Sequence, residues 1–210
     1  EKNILKNINL EIKVGEKVGI IGTTGSGKST LMEIIMGLLP PTKGIVELNA
    51  LNLFHFKNRQ LLVDWRSSIA YVPQNIFLSD VSIKENIAFG LPKEDIDLNR
   101  VKLACKAAHI DDYINIRPNK YEALVGERGI SLSGGQCQRI GIARALYENK
   151  DILFLDEATS SIDTKTEKKI IESIKELYSL KTIFMVAHRT STLSWCDKII
   201  ELDNGTIANI

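Results

Sequence analysis

Short apolar runs alternate with amphipathic segments along much of the chain. The apolar runs have the length of strands, and we predict strands at 17–21, 45–48, 69–72, 152–155, 182–187 and 198–202. Apolar residues recur at helical spacing elsewhere, and we predict helices at 29–36, 59–65, 82–89, 98–108 and 164–178. Strands with long apolar runs that alternate with helices are typical of a mainly parallel sheet covered on both faces.

The N-terminal segment has a different pattern. Ile8, Leu10, Ile12 and Val14 alternate with polar residues, a period of two that predicts a half-buried strand. Turn residues follow at 14–17 and lead into the strand at 17–21. We therefore predict an antiparallel hairpin at the N-terminal end of the fold.

The middle of the chain, from 76 to 149, is mostly helical, and it includes a further helix of about four turns that Ser133 opens. We predict one domain over 1–210 with an α/β core at 1–75 and 150–210. The segment 76–149 is then an α-helical subdomain inserted into that core.

A glycine-rich segment connects the strand at 17–21 to the helix at 29–36. Its sequence GTTGSGKST fits the phosphate-binding loop, a glycine and four residues followed by Gly-Lys-Ser. Glycine lets successive N–H groups turn inward as a nest for phosphate oxygens, Lys28 adds a charge for the outer phosphates, and Ser29 offers a hydroxyl to magnesium. We predict that a nucleoside triphosphate binds this loop, which consists of Gly22, Thr23, Thr24, Gly25, Ser26, Gly27, Lys28, Ser29 and Thr30.

Polar residues follow three of the predicted strands. Because ligands of open α/β sheets lie beyond the carboxyl ends of the strands, we expect Asp156 to hold magnesium and Glu157 to deprotonate the attacking water. His188 has a similar position, from which an imidazole could contact the terminal phosphate. Gln74 could reach the metal or the water, although a polar loop residue is the simpler interpretation.

A second distinctive segment is LSGGQ at 132–136. Ser133 is a good N-cap, and the glycines leave the N–H groups of the first helical turn open to a ligand. An ordinary capped helix and a second anion site both fit this pattern. A second anion site would mean either two nucleotides per chain or one nucleotide shared between chains. Asp163 is most simply the N-cap of the helix at 164–178.

Composition excludes several classes. With 44% hydrophobic and 25% charged residues the chain is an ordinary globular protein, and a net charge of +1 argues against a nucleic-acid partner. No apolar run approaches the roughly 20 residues that span a bilayer. The three cysteines are far apart and predict reduced thiols rather than a disulfide or zinc framework. Strand-like sequence begins almost at once without an initial Met, so we expect the chain to be part of a longer protein.

Together these segments resemble the nucleotide-binding domain of ATP-binding-cassette (ABC) transporters over nearly the whole chain. The phosphate loop, Gln74, LSGGQ, ILFLDE and His188 occur in that family's order. The resemblance implies that ATP and Mg²⁺ bind, with Ser29, Gln74 and Asp156 near the metal. It also implies that Ser133, Gly134, Gly135 and Gln136 meet the ATP held by a second, head-to-tail domain, and that Asp163 lies in a loop at that interface.

Two further segments, VGERG at 125–129 and ENI at 85–87, resemble the exporter type of the family. A resemblance to flippases of lipid-linked glycans rests on Ala187-His188-Arg189 and Cys196-Asp197-Lys198. The exporter type implies a transmembrane partner, upstream on the same polypeptide, and a place at the cytoplasmic face of a membrane, the bacterial inner membrane by this resemblance. The aromatic residue that stacks on adenine in the family would precede Glu1.

This sequence departs from the exporter pattern in two places. Ala123-Leu124 stands where exporters often have Thr-Glu, and Cys137 stands where a basic or polar residue is usual. Two alternative functions also remain, a soluble ABC ATPase of translation or DNA repair and a nucleotide sensor without turnover. The former usually has tandem cassettes or a coiled-coil insertion, for which 76–149 is too short. The presence of both Glu157 and His188 argues against the latter.

Overall fold

The computed structural model describes residues 3–126, 131–187 and 190–210. Its strands are β1 Lys17–Gly22, β2 Glu47–Leu48, β3 Leu51–Asn52, β4 Ile69–Val72, β5 Ile152–Asp156, β6 Thr182–Val186, β7 Lys198–Asp203 and β8 Thr206–Asn209. Its α-helices are α1 Lys28–Ile35, α2 Arg59–Ser67, α3 Ile83–Ile87, α4 Leu98–Ala107, α5 Asp111–Asn115, α6 Gly134–Glu148 and α7 Thr164–Leu177. Single 3₁₀ turns occur at Phe56–Asn58, Lys93–Asp95, Lys120–Glu122 and Thr190–Leu193. Among these described helices, none has both the length and the apolar character that crossing a membrane requires.

A six-stranded sheet has the order β4-β5-β6-β1-β7-β8. Strand β1 pairs in parallel with both of its neighbours, so that Val18 lies opposite Phe184 of β6 and Lys198 of β7. Strand β8 is antiparallel to β7, which it follows through a turn at Asn204-Gly205. A separate antiparallel sheet contains only β2 and β3. The predicted α/β fold with a mainly parallel sheet is confirmed.

The described chain divides into two compact units. The first unit comprises Glu1–Ile69, Lys150–Phe154 and Lys181–Ile210, and the second comprises Ala70–Asn149 and Leu155–Leu180. The second unit thus contains the helical segment and also the end of β5 with all of α7. The functional division into a core and an inserted subdomain at 76–149 stays a prediction.

The hydrophobic core of the first unit explains the position of the glycine-rich loop. Val18 and Ile20 of β1 are fully buried and pack with Leu31 and Met32 of α1. The rings of Phe154 and Phe184 stack with their centroids 4.5 Å apart in the same cluster. Both ends of the loop, the end of β1 and the start of α1, are therefore anchored in one core.

The strand predicted at 8–14 is wrong, because no strand is assigned there in the described residues. Ile8, Leu10 and Ile12 are half-buried against the core cluster of the first unit, while Val14 is 96% exposed. An alternation of apolar and polar residues indicates only that one face of a segment is buried. A strand also needs backbone hydrogen bonds to a neighbouring strand. The turn that follows is present, with Glu16 N–H donating to Lys13 O at 3.1 Å.

Helix α6 is the long central helix of the second unit, and most of its residues from Ile140 to Tyr147 are buried. A Cβ on Gly141 would lie 2.4 Å from Ile76 Cδ1, so this glycine allows the loop after β4 to pack on the helix. The sequence patterns do not predict α5, because five residues are too few to show a helical period.

Candidate active site

The glycine-rich loop of the first unit has backbone conformations that other residues rarely adopt. Gly27, at the N-cap of α1, has φ 104°, and a Cβ there would lie 2.7 Å from Leu5 Cδ2. Gly22 has φ 149°, and a Cβ there would lie 2.3 Å from Leu202 O and 2.6 Å from Ser26 Oγ. Side chains at these two positions would therefore collide with the loop's own surroundings.

Lys28 and Ser26 are the buried polar residues of this loop. The ammonium of Lys28 donates to Gly22 O at 2.8 Å and to Thr23 O at 3.0 Å, and the side chain is only 8% exposed. Ser26 Oγ is buried without a hydrogen-bond partner. A buried hydroxyl without a partner is costly, and a phosphate oxygen would supply the missing acceptor. The loop residues therefore fit a phosphate chain at the N-terminus of α1.

The carboxylate pair lies at the end of β5, in the second unit. Asp156 is buried, and Glu157 is half-buried with φ 49°, in the left-handed region that non-glycine residues rarely occupy. Gln74 Nε2 donates to Glu157 Oε2 at 2.6 Å. The structure thus brings together two of the predicted site residues, and in it Gln74 contacts the predicted base directly.

The loop that follows Gln74 is anchored by Arg144, a residue that the sequence analysis missed. Its guanidinium donates to Phe77 O at 3.0 Å and to Asn86 O at 2.8 Å, and it lies over the ring of Phe89. Burial lowers the pKa of Arg144 from its ordinary value. The segment after Gln74 is therefore attached to α6.

The LSGGQ segment forms the start of α6. Ser133 is the N-cap, its hydroxyl accepts from Gln136 N at 3.3 Å, and Gln136 Oε1 accepts in return from Ser133 N at 2.9 Å. This capping box satisfies two backbone donors of the helix end. Burial raises the pKa of the neighbouring Cys137 thiol, so Cys137 adds no negative charge to this helix N-terminus at neutral pH.

The glycines of this segment also have a packing role. A Cβ on Gly135 would lie 2.8 Å from Ser161 O, whereas a Cβ on Gly134 would make ordinary contacts of 3.5 Å with Ser161. Gly135 therefore allows the backbone of 159–163 to approach α6 closely. Asp163, at the end of this segment, caps α7 by accepting from Thr166 N at 3.0 Å, as expected. That hydrogen bond lowers the pKa of Asp163.

Gln138 is the second residue that the sequence analysis missed. Its side chain is 5% exposed, and it hydrogen-bonds the segment that begins at Glu157. The available signal was its spacing, since Gly134, Gln138 and Gly141 fall on one face of α6. A polar residue on a face that also carries two glycines indicates close backbone packing.

The predicted residues are thus distributed over both units. The loop residues 22–30 belong to the first unit, and Gln74, residues 133–136, Asp156, Glu157 and Asp163 belong to the second. His188 lies outside the described residues, and its predicted contact with phosphate stays a prediction.

No group of three or more His, Cys, Asp or Glu residues that could hold a metal occurs in the described part of the chain. Magnesium is commonly bound by one or two carboxylates together with substrate phosphates and water. The donors predicted here, the exposed Ser29 hydroxyl and the Asp156 carboxylate, suit that kind of site.

A glycine-rich loop that contains Lys28 connects strand β1 of the mainly parallel sheet to helix α1. This arrangement defines the class of phosphate-loop nucleotide-binding proteins. The family model described as ABC transporter matches residues 5–160. The chain belongs to this family, and it is an ATPase domain.

Two relatives illustrate the family. The "Putative multidrug export ATP-binding/permease protein YgaD" of Bacillus subtilis is 41% identical over the whole chain, which covers 35% of that protein. The "ATP-dependent lipid A-core flippase" of Chromohalobacter salexigens is 38% identical over 99% of the chain and 35% of that protein. The chain thus spans about a third of the length of these relatives.

A solved structure gives the same result for the fold. The "Structure of a bacterial Atm1-family ABC exporter with ATP bound" superposes with a TM-score of 0.89 at 36% identity. The match covers 99% of this chain and 35% of that one.

Proposed function

We propose that this chain is the motor domain of an exporter, which binds and hydrolyses Mg-ATP to drive transport across a membrane. The observation that carries the proposal is the hydrogen bond from Gln74 to Glu157, in a chain of this family. An oriented carboxylate is what a hydrolysing domain needs to activate water, whereas a nucleotide sensor without turnover has no use for it.

In the proposed reaction, Lys28 and the amides of the loop hold the phosphate chain. Ser29 and Asp156 would hold Mg²⁺, which would neutralise charge on the phosphates, and Gln74 would lie near this metal. Glu157 accepts a proton from the water whose oxygen attacks the terminal phosphorus. The bond to the bridging oxygen breaks and ADP leaves. His188 would contact the terminal phosphate.

The proposal includes a second copy of the domain. Ser133, Gly134, Gly135 and Gln136 would bind the ATP held by the loop of a head-to-tail partner, with Asp163 at the interface, so that two domains close around two nucleotides. The support is that the start of this helix, at Ser133 and Gly134, is exposed. Closure and reopening would move a transmembrane partner.

The relatives also support a place at the cytoplasmic face of a membrane, the inner membrane if the source is bacterial. The name of the Bacillus subtilis relative includes both an ATP-binding and a permease function, which supports a transmembrane domain on the same polypeptide. The names multidrug and lipid A-core describe those relatives, and membrane helices would choose the substrate here. Because the matched relatives are export proteins, we do not propose an ATPase of translation or DNA repair.

The experiment that tests hydrolysis is Glu157→Gln in the full-length protein. We expect ATP binding to persist while kcat falls by about 10²–10⁴-fold, because the shape is kept and the base is lost. Glu172→Gln, on the exposed face of α7, is the matched control and should keep wild-type turnover. Turnover of the Glu157 variant within a few-fold of wild type would contradict the proposed role.

A further inference from the structure

One buried amide, that of Gln138 in α6, holds the backbone that follows the end of β5. Gln138 Oε1 accepts from Ser161 N–H at 2.8 Å. Its Nε2 donates to Ser160 Oγ at 2.9 Å and lies 3.5 Å from Glu157 O. A single side chain therefore contacts three residues of the segment 157–161.

The first residue of this segment is held in an uncommon backbone conformation. Glu157 has φ 49°, which for a residue with a side chain persists only where the surrounding structure enforces it. Ser160 N–H donates to Glu157 O at 3.1 Å within the segment. The tight turn that results directs the Glu157 side chain, so its orientation depends on contacts that keep the turn closed.

The segment is also held on its other side. Thr159 Oγ1 donates to Glu167 Oε1 at 2.7 Å, and both side chains are buried. This contact connects the segment to α7, whereas Gln138 connects it to α6. Gln138 hydrogen-bonds the backbone of Ser161 and the side chain of Ser160. Its amide also lies beside the carbonyl of Glu157.

We infer that Gln138 is a positioning residue for hydrolysis, which keeps the Glu157 carboxylate oriented toward the attacking water by fixing the backbone at 157–161. This inference rests on the proposed role of Glu157 as the base. Gln138 acts through the backbone and touches neither nucleotide nor water in this role. Its loss should therefore affect kcat, since the base is misplaced, and leave KM for ATP nearly unchanged.

The test uses Gln138→Met in the full-length protein, because methionine keeps the length of the side chain and removes both hydrogen-bonding groups. We expect kcat to fall between about 10- and 10²-fold, the cost of a small misplacement of a catalytic group, with KM within about twofold. Gln60→Met is the matched control, since Gln60 is exposed on α2 and donates a hydrogen bond to Asp64 in the same helix. It should leave both constants unchanged.

A double-mutant cycle separates positioning from a general loss of structure. With radiolabelled ATP, Gln138→Met should reduce kcat no further in a Glu157→Gln background, since the group it positions is already absent. A further loss of the same size in that background, or a parallel rise in KM, would overturn the inference. So would a kcat of the single Gln138 variant within twofold of wild type.

The cycle also distinguishes failure of the inference from failure of the proposed function. If Glu157→Gln alone keeps wild-type turnover, the proposed base is wrong and the inference falls with it. If Glu157→Gln loses turnover but Gln138→Met does not, only the inference is overturned.

Discussion

The side-chain amide of Gln74 donates a hydrogen bond of 2.6 Å to Oε2 of Glu157. The two residues are 83 positions apart in the chain, and each follows a strand of the sheet. A hydrogen bond to an ionised carboxylate is short and directional, so it restricts the rotation of the Glu157 side chain. Gln74 thus orients the proposed base in this conformation. Its position after a strand predicts only that its side chain could reach the metal or the water.

Gln74→Met should lower kcat by about 10- to 10²-fold, because a hydrogen bond to a charged group contributes about 1.5–3 kcal/mol. We expect KM for ATP to change less than kcat, which steady-state kinetics of the full-length protein will show. Asn75→Ala, at the exposed neighbouring position, is the control. An unchanged kcat for the Gln74 variant would mean that this hydrogen bond does not serve hydrolysis.

Lys28→Ala should abolish useful ATP binding, measured by calorimetry with Mg-ATP. The substitution removes a charge meant for the outer phosphates, together with the two hydrogen bonds to Gly22 O and Thr23 O. Lys43→Ala removes an exposed lysine of the same unit and should bind as wild type. Equal affinity in both variants would contradict the assignment of the loop to phosphate.

Ser133→Arg should block the surface proposed for the partner's ATP, while the phosphate loop of the same domain still binds its own nucleotide. In a Glu157→Gln background, ATP should then fail to produce closed dimers of the domains, as followed by crosslinking in the full-length protein. Ser133→Ala loses the hydroxyl and the N-cap, worth about 1 kcal/mol, without adding bulk, so it separates the loss of these interactions from the steric block. Dimers that form equally well with arginine would show that the nucleotide is not shared across this surface.

Gly135→Ala and Gly134→Ala form a pair that tests the close approach of α6 to Ser161. The added Cβ would lie 2.8 Å from Ser161 O at position 135, but at an ordinary 3.5 Å from Ser161 at position 134. Hydrogen exchange of the peptide 157–163 should therefore increase for Gly135→Ala only. Equal exchange in the two variants would indicate that the segment 157–163 moves away from α6 without a cost in free energy.

Cys105 should resist alkylation in the folded protein. Burial raises the pKa of its thiol to about 12, with a further contribution from Asp111, so the reactive thiolate is scarce at pH 8. An unfolded thiol ionises near pH 8.5, and the raised pKa therefore destabilises the folded state as the pH rises from there toward 12. N-ethylmaleimide at pH 8, followed by mass spectrometry, should modify Cys105 at least about 10²-fold more slowly than in denatured protein. Comparable rates would contradict its burial.

Local sequence patterns were sufficient to predict most elements and to select the candidate site residues. The helix at α7 and the strands β4, β5 and β6 lie within about a residue of their predicted bounds, because burial on one face or on both imposes a period on neighbouring residues. The phosphate loop, the carboxylates after β5 and the capped start of α6 were predicted from residue type and spacing alone. His188 was predicted in the same way and stays a prediction.

Contacts between distant parts of the chain were decided only by the tertiary structure. The alternation at 8–14 indicates a buried face, yet no strand is assigned to these residues. A strand needs backbone hydrogen bonds to a neighbouring strand, and the sequence pattern does not specify that neighbour. Gln138 looks like any polar helical residue until α6 packs against Ser160 and Ser161. Residue type and period determine what a segment can form, but the partner of a buried amide depends on which distant backbone group packs beside it.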